Sequence, residues 1–342
     1  MGLRKQAEAP AAFVRIIINM PKFKENISLA NFSHYKIGGP AAFFFEAKDK
    51  KEVAWAIKEA KANKLPVFIL SGGTNLLIGD EGFRGLVLRP DITTLKSTGT
   101  TVTVGAGVSM SDLLDFSVKK SLSGLEWAGG LPGTVGGAIR GNAGCFGGEI
   151  KDSIKTVRSF DTTTMKFVER TAKQCAFDYR ESIFKKKAGE EIVVSATLTL
   201  KKGNAKEVAK SIKEKIDHRK KNHPLEYPNI GSTFKNVSLG HVHDEGSEKY
   251  KKALKEAFVE FKGSTFSVKN DPFPVISAAK LIGEAGLKGV SFGGAMISPK
   301  HPNFIVNVLN AEASHVKGLI ILAKQEVYKK FGVELEEEVQ II

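Results

Sequence analysis

Nine glycines fall within the twenty residues 129–148, GGLPGTVGGAIRGNAGCFGG. Background usage is roughly 7%, and glycine inside a regular element costs about 0.5–1 kcal/mol relative to alanine. Ordinary helix or strand cannot run through such a stretch. What it permits is close approach of backbone to a neighbouring strand or to a bulky ligand. About sixty residues earlier a second loop, SGGTNLL at 71–77, follows the compact apolar strand VFIL at 67–70. Successive backbone N–H groups in such a turn form a concave anion site, and Thr74 and Asn75 add side-chain hydrogen bonds. A tight turn needing positive φ at Gly72 and Gly73 explains the same residues. Two such loops, each with Thr or Asn, favour one shared diphosphate-bearing cofactor more than either loop does by itself.

The chain of 342 residues is long enough for two domains with cores that need no disulfide or metal staple. Hydrophobic residues make up 42% and charged residues 26%, which excludes a disordered, collagen-like or coiled-coil chain. Lys+Arg exceeds Asp+Glu by 51 − 37 = 14, favouring anionic partners such as phosphorylated metabolites. No basic stripe is interleaved with stacking aromatics, so nucleic acid is not expected as a partner. No run of about eighteen apolar residues exists, so no membrane span is expected. The first residues imitate a signal peptide, but Arg15 cuts the apolar stretch and no small-residue cleavage site follows. Two cysteines, Cys145 and Cys175, make no disulfide framework. A cytoplasmic location follows. Met20 offers a second start, which makes residues 1–19 an extension.

Residues 41–90 have the order strand, helix, strand, turn, strand. AAFFFEA suits a buried strand, and the following helix carries Val53, Ile57 and Ala60 on one face before Pro66 stops it. TVTVGAG alternates as a strand, and Ser109 or Ser111 caps a helix that buries Leu113, Leu114 and Phe116. The strand IVVSATLTL at 192–200 closes this region. A charged helix then opens a new unit, placing the domain boundary near 203. Beyond it come a helix ending at Gly286, the strand NFIVNV, a long amphipathic helix from about 314 to 331, and a last strand in VELEEEVQII. The second unit is therefore α+β.

Neither glycine loop matches G-x-x-x-x-G-K-[ST] or G-x-G-x-x-G, which disfavours an ATPase and a Rossmann dehydrogenase. H-E-x-x-H and C-x-x-C are absent. HVHD at 241–244 offers His241, His243 and Asp244 to a metal, but no further ligand cluster accompanies it, and a solvated loop is the better account. No metal is expected. Arg180 in FDYRESIFK, Ser232 in YPNIGSTFKN and Glu338 in VELEEEVQII each have bland alternatives: a surface salt bridge, a turn hydroxyl, an exposed acidic strand end.

Together they gain meaning from the order of eight segments: NFSHYKIGGPA (31–41), LSGGTNLLIGDEGFRGLVLR (70–89), GLEWAGGLPGTVGGAIRGNAGCFGGEIKDSI (124–154), FDYRESIFK (177–185), GSTFKN (231–236), AAKLIGEAGLKG (278–289), SPKHPNFIVN (298–307) and FGVELEEEV (331–339). From about 31 to 338 the chain resembles the UDP-N-acetylenolpyruvoylglucosamine reductases, also called UDP-N-acetylmuramate dehydrogenases, in the shorter subclass without a tyrosine-bearing loop after FDYRESIFK. The resemblance implies an α+β protein with a vanillyl-alcohol-oxidase-type FAD-binding domain of two α+β subdomains at 31–203. It implies a substrate-binding domain at 204–342, with residues 1–30 as an N-terminal extension.

It further implies a peptidoglycan-precursor enzyme that uses FAD and NADPH to reduce the enolpyruvyl ether of UDP-N-acetylglucosamine enolpyruvate to the lactyl ether of UDP-N-acetylmuramate. Since no protein side chain supplies a hydride, a flavin must. NADPH and substrate use one site in turn, so the missing dinucleotide fingerprint is expected. The resemblance assigns FAD binding to Gly72, Gly73, Thr74, Asn75 and Leu76, and to Pro132, Gly133, Thr134, Gly136, Gly137, Asn142 and Ala143. Arg180 holds the substrate carboxylate through its fixed fork of donors. Ser232 delivers a proton to C2 of a carbanion-like intermediate basic enough to take it. Glu338 is a second stabilising group, acting protonated or through a hydrogen bond. Lys220 or Lys221 faces the diphosphate. A monomer is expected.

Two features depart from the family pattern. Residues 237–277 are much longer than expected and look like an added helix with flanking loops, a surface decoration with a possible covering role. Phe146 stands where many relatives carry an aromatic hydroxyl. Two rival readings remain. An FAD-dependent sugar or lactone oxidase of the same fold would share the glycine loops but not Arg180, GSTFKN and Glu338 jointly. A basic nucleotide- or nucleic-acid-binding module would take up no flavin.

Overall fold

The computed structural model describes residues 23–270 and 273–342, and residues 1–19 and the alternative start at Met20 lie outside the described residues. The rest of the 1–30 segment is no appendage. Lys24–Ser28 is an edge strand antiparallel to Pro40–Ala47, and the Phe23 ring packs on Phe45 and Trp55.

The first subdomain is a four-stranded sheet in the order Lys24–Ser28, Pro40–Ala47, Phe83–Pro90, Val67–Ile69, the last three parallel. Parallel strands need a crossover, supplied by the helix Lys50–Ala62. Asp49 caps it by accepting from the N–H groups of Lys51 and Glu52, and Val53, Ala56, Ile57 and Ala60 are buried. This helix stops at Ala62 rather than at Pro66, because Lys64 turns into the left-handed region.

The second subdomain is a five-stranded antiparallel sheet in the order Lys166–Thr171, Ile154–Asp161, Glu191–Thr199, Thr101–Gly105, Leu95–Thr98. Ser109 caps the helix Met110–Lys119, which buries Leu113 and Leu114 and leaves Phe116 half-buried. Within 129–148 the only helix among the described residues is Val135–Arg140. The helix Ala205–Asn222, expected to open the next unit at 204, packs backwards instead. Its Val208 and Ile212 lie in one buried cluster with Leu122, Trp127 and Ala128, so the core changes after Asn222.

The C-terminal unit joins a three-stranded sheet, Ser291–Phe292, Ala295–Ile297 and Ile305–Asn307, to the long helix Ala313–Phe331, which Gly332 ends at φ +72. The 237–277 segment differs from an added helix with loops. After the helix Glu248–Glu256 comes a hairpin of Phe258–Phe261 and Ser264–Asn270, extended by Pro274–Ile276 and Val237–Ser238 into a four-stranded sheet. Val259, Phe261, Phe266 and Ile276 share the core with Leu319, Val327 and Phe331, and Phe266 meets Phe331 edge to face at 5.0 Å. Burial on this scale makes the segment part of the domain, not decoration.

The last expected strand is shorter than its sequence suggested. Only Gln340–Ile341 is strand, and it runs parallel to Leu76–Leu77 of the first subdomain. This last strand thereby ties the C-terminal unit to the first subdomain. No helix among the described residues is long and apolar enough to cross a membrane.

Candidate active site

The two glycine loops meet edge to edge. A Cβ on Gly72 would lie 2.7 Å from Cα of Gly133, and one on Gly133 would lie 2.8 Å from Oγ1 of Thr74. Only Gly73 of the first pair has positive φ, at +62. Gly72 is required for proximity rather than for conformation. Ser71 and Thr134 hydroxyls hydrogen-bond across the seam.

Beside the seam lies a cavity of about 350 Å³. Gly72, Gly73, Thr74, Asn75, Leu76, Pro132, Gly133, Thr134, Gly137 and Ala143 line it, with Arg180, Ser232 and Glu338. Four cationic side chains, Arg140, Arg180, Lys185 and Arg219, face one carboxylate, that of Glu338. An excess of positive charge in a low-dielectric cleft suits an anionic ligand. Burial lowers the pKa of Arg140, opposed by Glu181, but not far enough for a guanidinium to lose its proton.

Arg180 occupies a tight turn in which Asp178 and Glu181 exchange both backbone hydrogen bonds, and it sits at φ +57. Its Nε donates to Oε1 of Glu338 at 2.7 Å and its Nη2 to the Gly144 carbonyl at 2.8 Å. The other N–H groups remain to grip a carboxylate. Burial lowers its pKa, yet the Glu338 carboxylate together with Tyr179 and Cys145 outweighs that and the net direction is up. Ser232 follows Gly231 at φ +85, and Asn303 clamps the next two residues: its carbonyl accepts from Thr233 N–H and its Oδ1 from Phe234 N–H. The Thr233 carbonyl then accepts from Glu338 N–H at 2.9 Å. This backbone bond holds Ser232 and Glu338 on one wall.

Not every expected residue lines the cavity. Asn142 is fully buried, donating to Oε1 of Glu149 at 3.0 Å and to the Asp178 carbonyl at 2.9 Å while its Oδ1 accepts from Lys151 N–H. It supports the Arg180 turn from below. Gly136 lines a smaller neighbouring cavity with Arg140 and Glu191. Asn75 reaches the cavity, but its amide donates to the Glu338 carbonyl and its own carbonyl accepts from Gln340 N–H. Lys220 and Lys221 are exposed and absent from the lining. The same helix sends Arg219 instead, held by the Gly129 carbonyl and by Sγ of Cys145, with the Phe146 ring 5.4 Å from its guanidinium.

Sequence reasoning also missed Arg140, Lys185 and His223. The first two stand in quoted motifs, where a cation flanking a glycine loop was the available signal; His223 had none. His223 is pushed down to about 4 by burial and by His301 and Arg219 beside it. Cys145 and Cys175 form no disulfide. No cluster of three metal-ligating side chains occurs among the described residues.

A family model described as the C-terminal domain of UDP-N-acetylenolpyruvoylglucosamine reductase matches residues 223–342, and an FAD binding domain model matches residues 41–165. The UDP-N-acetylenolpyruvoylglucosamine reductase of Lachnoclostridium phytofermentans is 36% identical over 95% of this chain and 94% of its own length. The chain belongs to the UDP-N-acetylenolpyruvoylglucosamine reductase family. The reductase of Caldanaerobacter subterraneus subsp. tengcongensis is 35% identical over 95% of each chain. The crystal structure of the Thermus caldophilus reductase superposes with a TM-score of 0.70 at 29% identity, covering 93% of this chain and 99% of that one. The start of the family's C-terminal domain at 223 coincides with the end of the backward-packed helix. The residues present fit a flavin dinucleotide: a cradle that admits no Cβ, backbone amides of two loops, and cations beside them.

Proposed function

We propose that Arg180, Ser232 and Glu338 are the catalytic residues of an FAD-containing, NADPH-dependent reductase that converts UDP-N-acetylglucosamine enolpyruvate to UDP-N-acetylmuramate in peptidoglycan precursor synthesis. The observation that carries this reading is the single cavity: residues from 180, 232 and 338 converge on it beside both glycine loops. A sugar or lactone oxidase would not require that convergence, and the chain's relatives are reductases.

The Gly72–Leu76 and Pro132–Gly137 loops, with Arg140 beside them, would hold FAD, which would supply hydride chemistry once reduced by NADPH. Reduction at C3 of the enolpyruvyl group develops negative charge on C2 and on the carboxylate. Arg180 stabilises that charge with its Nη groups, since its Nε is engaged by Glu338. Glu338 orients the guanidinium by accepting this bond, so its part is played as an acceptor. Ser232 donates its proton to C2; the residue lies on the cavity wall, and the carbanion-like centre is a far stronger base than the alkoxide it leaves behind. Arg219 and Lys185 take the substrate's diphosphate in place of Lys220 and Lys221.

The protein acts in the cytoplasm, as a monomer, on a small-molecule UDP-sugar. The deciding experiment is anaerobic bleaching of the yellow protein by NADPH, followed by UDP-N-acetylglucosamine enolpyruvate. Recovery of flavin absorbance without oxygen is expected. Flavin that stays bleached until oxygen enters would favour an oxidase, and a protein that takes up no FAD would sink the reading.

A further inference from the structure

The inserted sheet touches the first half of the chain beside its most exacting residue. Phe273, the residue before the strand Pro274–Ile276, meets Tyr179 edge to face, with ring centroids 4.9 Å apart and planes at 76°. The Tyr179 ring in turn lies 5.2 Å from the Arg180 guanidinium carbon. An aromatic face attracts a cation, and its pull is stronger where water is excluded. Arg180 itself sits at φ +57, a conformation a non-glycine residue keeps only when its surroundings hold it there.

The turn has supports on two sides. Asn142 holds the Asp178 carbonyl, and Lys185 Nζ donates to the Arg180 carbonyl at 2.8 Å. Phe273 meets the aromatic side. Its own mounting is stiff, because Pro274–Ile276 pairs with Ser264–Asn270 on one flank and Val237–Ser238 on the other, and Ile276 and Phe266 are fully buried. Val237 stands five residues after Ser232, so the sheet that presents Phe273 begins beside the segment that presents the hydroxyl.

We propose that the 237–277 insertion is a positioning element for Arg180, acting through the Phe273–Tyr179–Arg180 stack. The proposal rests on the reductase reading for its kinetic consequence. It names a role for residues outside the family's shared motifs, and it makes Phe273 a residue that acts through another. Misplacing a substrate-gripping group by a fraction of an ångström slows chemistry more than it weakens binding.

The test uses the holoenzyme with Phe273→Ala and Phe273→Tyr, following flavin reduction by NADPH and reoxidation by the enolpyruvyl substrate in separate single turnovers. Phe273→Ala is expected to slow reoxidation about tenfold, as loss of alignment predicts, with reduction by NADPH, FAD affinity and thermal midpoint nearly unchanged. Phe273→Tyr, which keeps the edge contact, should recover most of the rate. Equal slowing of both half-reactions, no slowing, or no rescue by tyrosine would overturn the proposal. Amide hydrogen exchange at Glu181, whose N–H donates to the Asp178 carbonyl, gives a readout independent of the reaction. Exchange should quicken several-fold in Phe273→Ala, and unchanged exchange refutes the bracing whatever the substrate proves to be.

Discussion

Arg180 Nε donates a 2.7 Å hydrogen bond to Oε1 of Glu338, a residue 158 positions further along the chain. This bond and that from Nη2 to the Gly144 carbonyl fix the plane of the guanidinium while leaving its remaining N–H groups to a substrate carboxylate. An ammonium cannot reproduce that, since lysine is a point charge without a planar fork. Arg180→Lys is therefore expected to slow flavin reoxidation by substrate about 10²-fold, the usual loss for a missing charge-stabilising donor. Glu338→Gln should cost less, because an amide oxygen can still accept from Nε. Stopped-flow absorbance measures both, and an Arg180→Lys enzyme with normal reoxidation would remove Arg180 from the chemistry.

Ser232 gives a cleaner separation. Among the described residues no hydrogen bond holds its hydroxyl, while its neighbours Thr233 and Phe234 are tied to Asn303. Ser232→Ala should thus leave the thermal midpoint and NADPH-driven reduction unchanged while reoxidation by substrate falls by about 10²–10⁴, the range for a lost general acid. Reduction slowed as much as reoxidation would mean that the residue shapes the cavity instead of moving a proton.

The contrast between Asn75 and Asn142 shows how far the sequence could be read. Glycine spacing located both loops and their shared cavity, because a residue without Cβ is needed wherever backbone meets backbone, as at Gly72 and Gly133. Side-chain direction is not written that way. Asn142 has the same neighbours in sequence as a ligand-binding residue would, yet its amide is spent on Glu149 and Asp178, partners seven and thirty-six positions away. The domain boundary failed to show for a related reason. Charge on the helix Ala205–Asn222 marks its solvent face, whereas Val208 and Ile212 decide which core it joins. The hairpin within 237–277 was hidden because GSTFSVKN carries no strongly alternating apolar pattern; burial of Phe261 and Phe266, one on each of its strands, supplies what the pattern lacked.

Gly133 should be the least replaceable residue of the seam. Its φ is +101, and a Cβ would press to 2.8 Å from Thr74 Oγ1. Gly133→Ala combines backbone strain on the order of 1–3 kcal/mol with a displaced loop, so FAD affinity should drop about tenfold or more. Gly263→Ala is the matching control: φ is +81 at the tip of the inserted hairpin, with nothing near an added methyl. It should lower stability without touching FAD binding. Equilibrium titration of the apoprotein with FAD distinguishes them, and equal affinities for the two variants would refute the seam as the cofactor cradle.

His223 makes a prediction about acid. Burial, reinforced by the positive charges of His301, Arg219, His218 and Lys300, pushes its imidazole down to about 4, against about 6.5 for an unfolded histidine. Between those values the unfolded chain holds a proton that the folded chain refuses, so the unfolded state binds more protons and stability falls as the pH is lowered. Above 6.5 both states are neutral and the effect vanishes; below 4 both are charged and it is complete. His301, whose pKa is also lowered by burial, adds to the same slope. His34 is lowered in the same way, by burial and by Lys36, and His223→Gln removes one of these titrations. Its urea midpoint should decline less steeply than that of the parent between pH 6.5 and 4, with the two curves parallel above 7. Parallel curves throughout would mean that the fold accepts a proton at His223 without resistance, and that this wall of the cavity is open to water.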